Sequence, residues 1–338
     1  MTTLQIDGRE YRLRDGLNDF QQEMYVHLID WKWAHITRKP GFYHDRPYDA
    51  ILPEAYVGEC PMLYPNIVPA FRSHLDRFPF RLHPHFNHMA SSQAANLNLF
   101  LPLILHPNAN SILHALKPDI ARLALSELDH GYRIEYWDEP FGNLADHTRA
   151  SGTDADIAIA YHNRQDELCL WLIEHKLTES EFTSCGGFKS KGRRVRHDCS
   201  KPFSEILEDK YVCYYHDVNR YNYWNITEAN RSFFVNHALY PHCPFQGGLN
   251  QLWRNQLLGL SIEQDERQPY RHVTFSVVKH PGNTFLDQSL GAYQKLVAGN
   301  PRFSVFTHAD VLAAAAAHKD AALEQWIAWF RNLYNLQG

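Results

Sequence analysis

Three residues, Asp156, Glu174 and Lys176, have types and spacing that can do hydrolytic chemistry. Asp156 enters the apolar run 155–161, and Glu174 and Lys176 close the apolar run 168–176. In a strand, side chains two residues apart share a face, so Glu174 and Lys176 are expected side by side, about 6.6 Å apart. The polar segment between the runs, 162–167, is short enough for a hairpin, which brings Asp156 to the same place from the neighbouring strand. Two carboxylates and a lysine suit phosphodiester hydrolysis. The carboxylates hold one or two Mg²⁺ ions, with Mn²⁺ as a substitute, and the lysine orients water or stabilises developing negative charge. The lysine also offsets repulsion between the acids. A strand end that merely enters solvent can carry Glu-x-Lys too; the added strand-initial Asp156 favours the chemical reading. Asp154 competes for the metal, but Asp156 directly precedes the apolar residues, which leaves Asp154 to cap a turn or support the ligands.

Other residues supply surroundings for this centre. Gln251, Arg254 and Asn255 lie three and four apart, so one helical face presents amides and a guanidinium that can hold a phosphate or steer the lysine. Gln93 follows two serines that suit a helix N-cap, and its amide can reach metal ligands or nucleic acid. Residues 189–201 carry six lysines and arginines against one acid. In this run Lys189, Lys191, Arg193, Arg194 and Arg196 are candidates for gripping a phosphate backbone, a solvated loop being the bland alternative. The tyrosines from Tyr211 to Tyr223 and Trp224 are better read as packing than as base-stacking residues. Cys185, Cys199, Cys213 and Cys243 lack the close pairs of a zinc finger, yet in a loop-rich region they can converge on a structural zinc or an iron-sulfur cluster; separate reduced thiols are the other reading. His83, His85 and His88 are more simply read as hydrogen-bonded structural histidines than as a zinc site.

The elements that must position these groups follow from periodicity. A helix is expected from Asn18, with Gln21 reaching back to the cap, followed by an irregular proline-rich cover from Pro40 to about Pro69. A helix at 91–100 is expected to stop at Pro102, and another to span about 109–128, where Ile112, Leu116, Ile120 and Leu123 repeat. Strands are expected at 132–137, 155–161, 168–176 and 272–278, with a helix at 247–258 between them and a helical C-terminus from Asp310. The domain reading is an N-terminal elaboration at 1–90, a core at 91–290 with a cysteine-rich basic insertion, and a C-terminal helical segment at 291–338. With 338 residues, 44% hydrophobic and 13% aromatic, the chain can bury a large core and is no disordered or fibrous polypeptide. A net charge of −5 excludes bulk positive charge as the means of holding nucleic acid. The longest apolar stretch, 99–105, is too short to span a membrane, and the opening residues lack a signal-peptide pattern, so no membrane partner and a cytoplasmic protein are expected.

The ordered pieces resemble the PD-(D/E)XK nuclease superfamily. Residues 152–160 look like its second motif and Ile173-Glu-His-Lys-Leu-Thr-Glu179 like its third. More specifically, Ser91-Ser92-Gln93, the segment Glu174 to Glu179 and Gln251-Leu-Trp-Arg-Asn255 occur in the order of a bacterial family of restriction endonucleases. The resemblance implies an α/β fold with a mixed central sheet flanked by helices. It implies Asp156 and Glu174 as metal ligands, Lys176 assisting attack, and a DNA endonuclease of restriction or phage defence, with RNA not excluded and a homodimer suggested by analogy. Some members of the superfamily carry a metal cluster, which strengthens the cysteine reading without naming the metal. Asp156 lacks the usual preceding proline, and the first-motif acid stays open among Glu127, Glu135 and Glu139. A non-cleaving nucleic-acid-binding protein on the same fold, or a different hydrolase using the histidine-rich segment, are the competing functions.

Overall fold

Two nearly continuous apolar runs separated by a short polar turn produce the paired strands that the sequence asks for. The protein is described here by a computed structural model covering residues 1–148 and 152–336. A hairpin of β1 (Thr2–Ile6) and β2 (Arg9–Leu13) leads into α1 (Asp19–His35), a second hairpin of β3 (Gly41–Tyr43) and β4 (Arg46–Tyr48), and helices α2 (Glu54–Val57), α3 (Val68–Arg77), α4 (Ser92–Ile104) and α5 (Ala109–Leu116). Strands β5 (Arg122–Leu123), β6 (Tyr132–Tyr136), β7 (Ala155–His162) and β8 (Leu168–Lys176) come next. A lobe with the short helices α6 (Gly186–Lys189), α7 (Phe203–Glu208), α8 (Tyr214–Asp217) and α9 (Tyr223–Ala229) precedes the long α10 (Leu249–Gln264). The rest is β9 (His272–Lys279), α11 (Asp287–Leu296), β10 (Phe303–Thr307), α12 (His308–Ala316) and α13 (Ala321–Leu333).

Six strands form one mixed sheet in the order β10-β9-β8-β7-β5, with β6 also paired to β7. The β7–β8 hairpin is antiparallel with Ile157 opposite Ile173, whereas β8, β9 and β10 run parallel. Side chains alternate across the sheet. Ile157, Ile159, Trp171 and Ile173 share a core with Leu97, Phe100 and Trp326 from α4 and α13. Ala158, Ala160, Leu170 and Leu172 face the other side, against Leu252 and Trp253 of α10 and the aromatic lobe of Phe203, Trp224 and Phe245. The central strands are therefore covered twice, as their continuous apolar composition requires.

Asn18 caps α1 with the full capping box, its side chain taking the Gln21 N–H while the Gln21 side chain takes that of Asn18. Gln21 also donates to the Thr178 carbonyl at 2.7 Å, tying the N-terminal lobe to the chain just beyond β8. Several expectations need correction. The helix from Ser92 runs through Pro102 to Ile104, because the Asn98 carbonyl that proline leaves without an amide accepts the Trp326 indole N–H at 2.8 Å. The helix expected over 109–128 ends at Leu116, since the Lys117-Pro118 pair disfavours helical backbone; Ile120 and Leu123 are still buried, by other elements. The proline-rich cover contains the β3–β4 hairpin, and the C-terminal segment supplies the edge strand β10 and breaks into two helices rather than one.

Candidate active site

The hairpin delivers its three chemical residues to one point. Continuing the register of Ile157 and Ile173 by one residue sets Asp156 across from Glu174. The His175 N–H donates to Asp156 Oδ2 at 2.6 Å, and Lys176 Nζ lies 2.9 Å from Glu174 Oε1. Glu174 and Lys176 are buried, so their charges need partners. Helix α10 supplies them. Gln251 Nε2 donates to Glu174 Oε1 at 2.7 Å and Asn255 Nδ2 to Oε2 at 2.6 Å, four residues apart on one helical face. Burial works against the Lys176 charge, but Glu174, Glu179 and Asp156 outweigh it and hold the lysine above its ordinary range. Lys176 is held there as an ammonium that donates to Glu174 Oε1.

Of the three acids the sequence leaves open, Glu135 is the one that stands beside this centre. Its neighbours Ile134 and Tyr136 pair with Ile157 and Ala155, so Glu135 faces Asp156 across the β6–β7 ladder. Its backbone has φ +50°, a left-handed conformation uncommon for a residue other than glycine, which interrupts the ladder at this position. Gln93, at the start of α4, donates to Glu135 Oε1 at 2.7 Å while its own Oε1 accepts the His83 N–H. Burial, with Asp154 and Glu174 adding to it, pushes Glu135 up to about 8. Burial and the same acidic neighbourhood raise Asp156 well above the carboxylate range. By contrast Glu127 lies in the turn before β6, and exposed Glu139 reaches Arg133 at 3.7 Å. Asp154 accepts His147 Nε2 at 2.7 Å, and although burial opposes the charge, Asp146 and Asp154 push that histidine up to about 9.

A cleft of about 790 Å³ opens onto this centre, lined by Glu135, Asp154, Asp156 and Glu179 and, from the N-terminal lobe, by Arg14, Arg81, Tyr43 and His85. Sequence reading misses this wall, because its residues are scattered over the first 90 positions and carry no motif. Arg14 and Arg81 are exposed and make no ion pair among the described residues, whereas Arg12 is held bidentately by Asp49. The basic run is divided in its use. Arg194 and Arg196 pair with buried Asp217, and Arg193 donates to the Phe188 and His197 carbonyls; exposed Lys189 and Lys191 make no ion pair among the described residues. Arg254 donates to Thr153 Oγ1 at 3.3 Å, bracing the segment that enters β7. Tyr223 and Trp224 are buried against Trp253, so they pack. His83 and His85 line the cleft wall, and among the described residues no three His, Cys, Asp or Glu side chains stand closed as a metal-binding set.

Fold and site together define a mixed α/β protein with a carboxylate and lysine centre at the end of its sheet. The chain belongs to a restriction endonuclease family, described as restriction endonuclease associating with ARP, whose family model matches residues 30–335. No curated protein and no solved structure matches it. Among the described residues no helix is long and apolar enough to cross a membrane.

Proposed function

We propose that the protein is a Mg²⁺-dependent DNA endonuclease with a PD-(D/E)XK-type core, acting in restriction or phage defence. The observation that carries the reading is the meeting of Glu135, Asp156, Glu174 and Lys176 beside one cleft, which Glu135 and Asp156 line, with the amides of Gln93, Gln251 and Asn255 each aimed at a carboxylate. Mg²⁺ takes only one or two protein carboxylates and fills its octahedron with waters and substrate phosphate oxygens. Asp156 and Glu174, hard oxygen donors opposite each other, fit that demand without a third closed ligand. A bound cation supplies polarisation of the phosphodiester and acidification of water.

The remaining work belongs to side chains of this chain. Lys176, kept charged by Glu174, Glu179 and Asp156, donates to the attacking water or to the phosphoryl oxygen on which charge develops. Gln251 and Asn255 fix the Glu174 carboxylate, and Gln93 fixes Glu135, so neither acid must reorganise when substrate arrives. Arg14 and Arg81 at the cleft wall meet the phosphates on either side of the scissile bond.

The test incubates purified protein with duplex DNA, and in parallel RNA, at several Mg²⁺ and Mn²⁺ concentrations and with EDTA. DNA cleavage that requires the metal and falls by about 100-fold or more in each of Asp156→Ala, Glu174→Ala and Lys176→Ala, with unchanged circular dichroism, is the expected result. DNA binding without any cleavage would instead support the non-cleaving alternative, and equal cleavage by Glu174→Ala would remove the assignment.

A further inference from the structure

The lobe between β8 and α10 has little regular structure to hold its first half. Its longest helix, α9, has 7 residues, and among the described residues no buried one between Phe182 and Phe203 joins the aromatic core of Phe203, Trp224, Phe233 and Phe245. Four cysteines sit on segments that the backbone joins into a closed ring. Cys243 N–H donates to the Cys199 carbonyl at 3.2 Å, and Cys185 N–H to that of Gln246 at 3.3 Å. Asp198 N–H, next to Cys199, donates to the carbonyl of Val212, next to Cys213, at 3.0 Å. The ring closes where Gly186 N–H donates to the Tyr215 hydroxyl at 2.8 Å, with Tyr214 and Tyr215 packed so near Gly187 that a Cβ there would meet them at 3.2 to 3.3 Å. Each pair among the four thiols lies within electrostatic reach, and none is joined in a disulfide.

We propose that Cys185, Cys199, Cys213 and Cys243 bind one structural Zn²⁺ that staples this lobe beside the active site. Among the described residues the thiols do not stand as a closed ligand set, and the ion draws the four sulfurs the remaining distance inward. The local chemistry is that of thiolates in waiting. Phe188 N–H donates to Cys185 Sγ at 3.4 Å and Gly187 N–H also faces it; Tyr215 and His216 N–H groups bond Cys213, and that of Phe245 bonds Cys243. Such donors two and three residues after a cysteine favour the charged sulfur, and the Arg193 guanidinium adds to them at Cys199 and Cys213. Burial, with Cys213 and Cys199 adding to it, pushes Cys185 up to about 11 against the Phe188 and Gly187 donors, so without metal this thiol is neutral. Binding forms four Zn–S bonds as four S–H protons leave to solvent. Zinc fits because four thiolates on one divalent ion make a closed tetrahedral structural site, with Zn–S bonds of about 2.3 Å.

Elemental analysis of the full-length chain, expressed with zinc and purified anaerobically, should give about one zinc per chain and almost no iron. Cys199→Ser and Cys213→Ser should each lose that zinc, while Cys60→Ser and Cys169→Ser keep it. Should the serine variants fail to fold, cobalt exchanged into wild type gives an independent reading. Intense sulfur-to-cobalt charge transfer with tetrahedral visible bands supports the site. Glu174→Ala should retain full zinc, which separates this site from the proposed catalytic one. Folded wild-type protein with no zinc, zinc retained by Cys199→Ser, or about four irons with matching sulfide would each overturn the assignment.

Discussion

Glu174 shows how a single side chain is prepared. Three donors converge on its two oxygens, from Lys176, Gln251 and Asn255, so removing one donor leaves the carboxylate in place but less constrained. Gln251→Ala and Asn255→Ala are therefore expected to slow Mg²⁺-dependent cleavage by about 10- to 100-fold, less than Glu174→Ala, as for groups that orient metal ligands. Steady-state cleavage rates with parallel thermal melts check this; losses equal to that of Glu174→Ala would give the amides a direct part in the chemistry. Gln93→Ala should act similarly through Glu135. The hairpin residues are legible in sequence because strand periodicity and a short polar turn suffice to place them. Glu135 is not, because its selection over Glu127 and Glu139 depends on a left-handed backbone turn inside β6 and on pairing with β7. The helical spacing of Gln251 and Asn255 is visible, but spacing alone leaves them between a phosphate and the lysine, whereas the structure gives them Glu174, the lysine's own partner.

At the scale of elements, failures of sequence reading arise where a distant group supplies what local rules say is missing. Proline at 102 removes an amide and so predicts a stop, yet α4 continues because Trp326, from α13, takes the Asn98 carbonyl. Asn98 is a knot of this packing: its side chain also bonds the Met62 carbonyl, the Tyr334 hydroxyl and the Tyr64 amide. Trp326→Phe leaves that carbonyl buried and unpaired, at an expected cost of about 1–3 kcal/mol beyond the weakened packing. Pro102→Ala restores an N–H at the position that can serve Asn98 within the helix. The same Trp326→Phe change should then cost about 1 kcal/mol less in the Pro102→Ala background, the packing loss cancelling between the two arms. Urea denaturation of the four proteins measures the coupling, and equal costs in both backgrounds would show that the indole N–H does not rescue the helix. Local signals nonetheless locate α1, β7, β8, β9 and α10, since each carries its cap, its helical spacing or its apolar run within its own residues.

The whole molecule must hold a polyanion although its net charge is −5, so affinity has to come from a few cations that are free to meet phosphate. Sequence density points to the run 189–201, but density does not count commitments already made inside the fold. Arg194 and Arg196 face Asp217, whose carboxyl is held well below its usual range chiefly by hydrogen bonds from Arg196 and His197. Removing these arginines leaves a buried acid with His197 as its remaining ion-pair partner among the described residues, and Arg194→Ala/Arg196→Ala should lower the melting temperature. Arg14 and Arg81 at the cleft make no ion pair among the described residues, so Arg14→Ala/Arg81→Ala should leave the melting temperature unchanged and weaken DNA binding regardless of sequence. Each cation withdrawn from a phosphate should reduce the slope of log affinity against log salt by about 0.9, or about 2 for the pair. Binding isotherms for a catalytically inactive Glu174→Ala background at several salt concentrations give that slope. If it stays at the parental value while Lys189→Ala/Lys191→Ala flattens it, the DNA backbone runs over the basic loop and not along the cleft wall.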